Sequence, residues 1–276
     1  MNPPLRMFLP LAAALLAFAS LAQPLNGADA EPATISAKEL ASRLAAVLQD
    51  GASYVRLRLN MKQPSETTKI TLQIQIKQRR TKEITEVVYQ VLWPGERKGE
   101  AVLLRSAPGR SVTGSVFVPP DKLRSLGSAQ MSESLFGSDL SYQDLIENFF
   151  AWDHQAITGN EVVNRVSCLI LESKPGPGEQ SIYSSVRSWI DPHQLVPLRV
   201  EKYGSSNQLV RRIDTTRVVT DDKGRSVPSN LIVRGPRENF VSELDGSRIK
   251  HDVPYTEREF TPEGLKEVTI PRSPPE

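Results

Sequence analysis

His154, His193 and His251 are the only histidines in the sequence, and none stands at a metal-ligand spacing such as H-x-x-x-H. Asp153 precedes His154 directly, which supplies the residue types of a general base and its orienting carboxylate. Adjacent residues do not normally face one another, however, and no nucleophile completes the set. Asp191, Pro192 and His193 stand in "WIDPHQLVP", whose composition is that of a turn between two strands. The glycines are scattered among turns, with no glycine-rich phosphate loop behind a strand. Asp139 and Asp144 could ligate a cation, but they fit better as turn and cap residues at a helix start. Cys168, the single cysteine, lies among apolar residues in "VSCLILES" and reads as a small buried hydrophobe rather than a reactive thiol. These residues predict no catalytic group, no metal and no cofactor.

The elements that would position any site are mostly strands. "YVRLRLNM" (54–61) alternates Val55, Leu57, Leu59 and Met61 with Arg56, Arg58 and Asn60, and "KITLQIQIKQR" (69–79) alternates Ile70, Leu72, Ile74 and Ile76 with Thr71, Gln73, Gln75 and Lys77. Period two over that length predicts a sheet dry on one face and wet on the other. Further strand-like runs follow at short intervals between Pro/Gly/Asn/Ser turns, without alternating helices, which is the pattern of an antiparallel meander. Roughly ten strands do not make a comfortable flat sheet; they curl, split or close. The local basic clusters at 77–82 and at Arg211-Arg212 read as solvated faces or edges in this setting.

Two helices accompany the strands. The first is capped by Ser36 and Glu39, carries Leu40, Leu44, Val47 and Leu48 on one face, and stops at Gly51. The second is predicted over 141–152: Ser141 and Asp144 form a capping box, and Tyr142, Leu145, Ile146, Phe149 and Phe150 fall at i, i+3, i+4, i+7 and i+8. Such a stripe is either a helix packed on a core or a lid over an apolar cavity. A sandwich would leave both helices peripheral, whereas a curled half-barrel lined with Leu and Ile needs an apolar plug of this kind.

Composition narrows the classes further. Lys and Arg total 34 against 32 for Asp and Glu in 276 residues, a formal net charge of +2, which argues against a nucleic-acid binder. Arg6 and the apolar run "MFLPLAAALLAFASLA" read as a secretory signal peptide within residues 1–30, cleaved after Ala22 or Ala30. No cysteine stands directly behind that run to take a lipid anchor and no later apolar run approaches spanning length, so the expected mature protein, 31–276, is a soluble single domain. The segment from about 261 onward, rich in Pro and Glu, is expected to be a flexible exposed tail.

"LFGSDLSYQDL" (135–145), "SWIDPHQLVPLRVEKYGSSNQLVRRI" (188–213) and "YQVLWPGERKGEAVLLR" (89–105) together resemble the outer-membrane lipoprotein-sorting (LolA-like) family of secreted bacterial proteins. Leu140 replaces the signature's usual aromatic and Gln143 its usual acid. The upstream Trp-x-Tyr-x-Pro strand is reduced to "SVFVPP", with Phe117 and Pro119 retained. The resemblance implies a periplasmic, mainly β fold: a curled antiparallel half-barrel closed by amphipathic helices that shelters acyl chains. On that expectation the apolar cavity is lined by Leu57, Leu59, Leu72, Ile74 and Ile76, with Leu145, Phe149 and Phe150 from the lid. The expected function is a non-catalytic carrier or chaperone for the acyl chains of a lipid or lipoprotein, with an inner- or outer-membrane protein as a further partner. The alternative is a periplasmic lipid sensor or adaptor that regulates a membrane partner.

Overall fold

Alternating Leu and Ile on successive strands need a partner surface, and the chain supplies it by pairing every strand antiparallel with its neighbour. The computed structural model describes residues 35–48, 51–62, 69–246 and 249–271; the expected signal segment and the side chain of Leu48 lie outside them. Helix α1 (Ala37–Leu48) precedes β1 (Ala52–Lys62), β2 (Lys69–Arg80), β3 (Thr85–Trp93), β4 (Ala101–Ser106), β5 (Thr113–Val118) and β6 (Lys122–Leu126). A crossing segment, 127–153, contains the short helix α2 (Tyr142–Ile146). Then come β7 (His154–Val163), β8 (Val166–Lys174), β9 (Ser185–Asp191), β10 (Val196–Tyr203), β11 (Leu209–Thr220), β12 (Ser226–Arg234), β13 (Val241–Gly246) and β14 (Lys250–His251).

The strand order is β6-β5-β4-β3-β2-β1-β13-β12-β11-β10-β9-β8-β7, with β14 also pairing with β1. The first six strands therefore meander out to one edge of the sheet, the crossing segment carries the chain to the opposite edge, and the remaining strands meander back until β13 meets β1. Fourteen strands cannot stay flat under their own twist, and the sheet is curled and unclosed, with β6 and β7 as its edges. Both edges were hard to see in the sequence, since β6 is exposed up to its last residue, Leu126, β7 is buried only at Val163, and neither shows apolar alternation.

The register sets Leu57 opposite Ile74 and Leu59 opposite Leu72. These residues, with Val87, Val91, Val102, Leu104, Val233 and Leu244, form the inner face, and Leu135, Leu140, Leu145 and Ile146 of the crossing segment fill the space over it. A second cluster joins Leu40 and Leu44 of α1 to Phe150, Leu171 and Ile190.

Four expectations are corrected. The helix predicted over 141–152 ends at Ile146; Glu147 leaves it in extended conformation and a 3-10 turn, Phe149–Ala151, follows. The chain breaks there because two separate apolar surfaces are on offer, the inner sheet for Leu145 and α1 for Phe150. Gln75 and Lys77, read as a wet face, are buried, and so is Arg211. The segment beyond Phe260 is not a free coil as far as it is described: Phe260 and Leu265 are buried against Val88, Ala101, Leu103 and Phe117 on the outer face. Gln90 donates to the Leu265 and Glu267 carbonyls at 3.1 and 3.2 Å, and Lys77 pairs with Glu259 at 3.2 Å. The reason lies in β3, where Glu86 through Val91 are all buried, so both faces of this strand require cover.

Candidate functional site

The crossing segment is the part of the molecule that its sequence singles out, and two carboxylates hold it down. After Leu135 the chain turns through Phe136 (φ 51°) and Gly137 (φ 89°), a left-handed pair that brings Asp139 beneath β13. The Asp139 carboxylate accepts from Ser242 Oγ at 3.0 Å and from Arg237 Nη2 at 3.1 Å, while its own N–H donates to Ser242 Oγ at 2.9 Å. The approach is close enough that a Cβ at Gly235 would stand 2.8 Å from Asp139 Oδ1. Burial pushes the Asp139 carboxyl upward, only partly offset by Arg237 and Ser242.

One turn further on, Ser141 and Asp144 cap α2 reciprocally: Asp144 N–H donates to Ser141 Oγ at 3.3 Å and Ser141 N–H to Asp144 Oδ2 at 2.7 Å. The same carboxylate then accepts from Lys202 Nζ and Tyr183 Oη, each at 2.8 Å on Oδ1, and from Arg211 on Oδ2. The Asp144 side chain is fully buried, with Lys202 and Arg211 at 2% and 7% exposure. Lys202 and Arg211 are direct cross-strand partners on β10 and β11. Two cations opposite each other on a buried face would repel; the Asp144 carboxylate between them turns that repulsion into a clamp. Burial alone would raise its pKa, but the ammonium of Lys202 and the guanidinium of Arg211 outweigh burial and hold it below the usual carboxylate range. Burial and the Asp144 charge push the Tyr183 phenol up, so it stays a hydroxyl donor. Lys202 Nζ also stands 5.3 Å over the Phe149 ring and 4.8 Å over that of Tyr183.

Of the predicted cavity residues, the structure brings six together: Leu59, Leu72, Ile74 and Leu145 are buried in the main cluster, with Leu57 and Ile76 half-buried against it. Phe150 belongs instead to the α1 cluster, and Phe149 lies between that cluster and one formed by Trp152, Tyr183, Val186 and Val200. Sequence reasoning missed Lys202, Arg211 and Tyr183. A signal existed for Lys202, since β10 buries Val196, Leu198, Val200 and Lys202 in strict alternation, so a lysine occupies an apolar phase.

Three cavities stand out. One of about 380 Å³ reaches Leu57, Ile74 and Leu92 beside Arg56, Arg58 and Asp245. A second of about 600 Å³ lies at the rim between the 80–85 and 106–112 hairpins and the 143–153 and 177–180 segments, and a third of about 260 Å³ shares Val112, Gln143 and Glu179 with it. Among the described residues, Asp221, Asp222 and His251 are grouped closely enough to hold a metal ion. Arg225 already bridges two of them, 2.9 Å from Asp221 and 2.8 Å from His251 Nε2, and supplies positive charge there itself. Asp153 and His154 are both exposed. No helix among the described residues is long and apolar enough to cross a membrane.

An open, curled antiparallel sheet whose inner face is spanned by one crossing segment is the LolA-like fold. A family model described as that of an uncharacterized protein matches residues 83–267, and the chain belongs to that family. No curated protein matches the sequence. Among solved structures, a DUF1329 family protein from Desulfovibrio piger is 22% identical with a TM-score of 0.76, covering 83% of this chain and 97% of its own. A structure from Vibrio parahaemolyticus, described as an outer membrane lipoprotein-sorting protein domain, is 19% identical with a TM-score of 0.74 over 84% of this chain and 98% of its own. A LolA superfamily protein from Nitrosomonas europaea is 20% identical with a TM-score of 0.65 over 82% of this chain and 98% of its own.

Proposed function

We propose that this protein is a non-catalytic periplasmic carrier or chaperone of the outer-membrane lipoprotein-sorting type, which holds the acyl chains of a lipid or lipoprotein under its crossing segment. The observation that carries this reading is the way the inner face is covered. A dry sheet lined by Leu57, Leu59, Leu72, Ile74 and Ile76 is closed by a single segment fastened through two buried carboxylates, not by a second sheet. Such a cover contributes Leu135, Leu140, Leu145 and Ile146 to the core when shut and can give way to chains of the same chemistry when open. Cargo and cover then exchange like for like. The driving force is the removal of cargo from water, about 0.8 kcal/mol for each CH₂. In this reading residues 1–30 direct export and 31–276 form the working domain.

The test is to express the chain with its own N-terminal segment, purify it without detergent and record native mass spectra beside organic extracts. A discrete lipid mass is expected, lost when the half-buried Leu57 and Ile76 are both changed to Asp. A folded protein that is empty and takes up no lipid from vesicles overturns the carrier.

A further inference from the structure

The rim cavity of about 600 Å³ has a charge pattern that the apolar site does not explain. Its two walls come from opposite halves of the chain, residues 80–112 on one side and 143–180 on the other. Every basic residue lining it (Arg80, Lys82 and Arg110) belongs to the first wall, and every acidic one (Glu147, Asp153 and Glu179) to the second. Among the described residues no ion pair joins these groups across the gap. The walls are linked instead by Ser111 Oγ donating to Gln180 Oε1 at 2.8 Å. Opposite charges that face one another without meeting leave room for a ligand that is itself dipolar.

Unsatisfied polar atoms point the same way. Among the described residues five buried side-chain nitrogen or oxygen atoms lack a hydrogen-bond partner, and three of them, Arg80 Nε, Glu147 Oε2 and Asn148 Oδ1, belong to residues lining this cavity. Such atoms are costly and rare in a finished fold, so their concentration at one cavity marks a place where partners are missing. The donor sits on the basic wall and both acceptors on the acidic one. Glu147 Oε1 is already engaged by Gln143 at 2.7 Å, and burial raises the Glu147 carboxyl despite the nearby charge of Lys202 and the hydroxyl of Ser181. Burial, and after it the charge of Asp153, raises the Glu179 carboxyl on the same wall. The floor is apolar: Ile146 belongs to the main cluster, and Val112 packs against it, so a headgroup here would stand directly over the space proposed for acyl chains.

We infer that this cavity binds a zwitterionic headgroup in which a primary ammonium lies beside a phosphate diester, the phosphate turned to Arg80, Lys82 and Arg110 and the ammonium to Glu147, Asn148, Asp153 and Glu179. A primary ammonium fits this wall because Glu147 Oε2 and Asn148 Oδ1 both lack a donor, which a quaternary ammonium cannot supply, and because the acidic side chains beside them favour a cation over a neutral hydroxyl. For the chains attached to that headgroup the inference rests on the carrier reading; for the headgroup itself it does not.

The experiment loads the full secreted chain from vesicles of dioleoyl phosphatidylethanolamine, phosphatidylcholine or phosphatidylglycerol and counts bound lipid by native mass spectrometry. Glycerophosphoethanolamine, which has no chains, is titrated separately by calorimetry. Phosphatidylethanolamine should load about tenfold better than either competitor, the factor that one charge-assisted hydrogen bond supplies. Glu147→Gln should erase the preference over phosphatidylglycerol, and Arg80→Gln should weaken both. Asp153→Asn with Glu179→Gln, both at exposed positions, should lower the preference without disturbing the fold. Equal loading of all three lipids, or a preference that survives these variants, overturns the headgroup site and leaves the carrier standing. Binding of glycerophosphoethanolamine with no uptake of any lipid supports the headgroup site and overturns the carrier. No binding in either arm overturns both.

Discussion

Asp144 and Glu147 stand three residues apart on one crossing segment, and both carboxylates are buried, yet their surroundings are opposite. Asp144 meets Lys202, Arg211, Tyr183 and Ser141 and is held ionised below the usual carboxylate range. Glu147 keeps one oxygen without a hydrogen-bond partner and is pushed above its ordinary value of 4.5 by burial. The segment is thus fastened in its middle and under-satisfied at the end that faces the rim cavity. For the carrier proposed above this asymmetry is what an opening cover requires: one end to define the closed state, the other to leave it cheaply.

The sharpest way to break the comparison is Asp144→Ala. It leaves Lys202 and Arg211 buried, opposite each other and unpaired, and should lower stability by about 3–5 kcal/mol in urea unfolding. Adding Lys202→Met should recover part of that loss, because one uncompensated charge is gone; no recovery would mean the clamp is not an ionic one. Ser141→Ala removes the cap and should lower stability by about 0.5–2 kcal/mol by the same measurement. Glu147→Gln should leave stability unchanged at pH 7 or raise it by on the order of 1 kcal/mol, since it removes a charge that burial disfavours. A loss as large as that of Asp144→Ala would show that the two ends do not differ.

The smallest effect is in the pH dependence, and its sign differs between the two carboxylates. Asp144 has a folded pKa below its ordinary 3.8, so its contribution is fully present above that value and is lost as pH falls through the folded one. Glu147 and Asp139 are raised, so the folded state takes up protons first and stability rises as pH falls from neutral toward their ordinary values of 4.5 and 3.8. Urea midpoints should therefore pass through a shallow maximum in mildly acidic solution before collapsing. Glu147→Gln should flatten the rising limb, while Asp144→Asn should flatten the falling one.

Much of the fold was legible because period two is a local signal. Leu57, Leu59, Leu72, Ile74 and Ile76 share one face in the sequence as they do in the sheet, and the Ser141–Asp144 capping box is present as read. The edges were not legible, since β6 and β7 bury too little to impress a pattern on the chain. Nor was the strap beyond Phe260, although the unbroken apolar character of β3 already required something on its outer side.

The sequence by itself determined which residues seek shelter and where the chain turns, because burial and capping act between near neighbours. Only the tertiary structure decided what the charges do. Asp144 reads as a cap until β10 and β11 bring Lys202 and Arg211 to it across 58 and 67 residues. Phe149 and Phe150 read as one stripe with Leu145 until α1 offers a second apolar surface. The worth of a charge is set by what lies within a few ångströms in space, and separation along the chain carries no record of that.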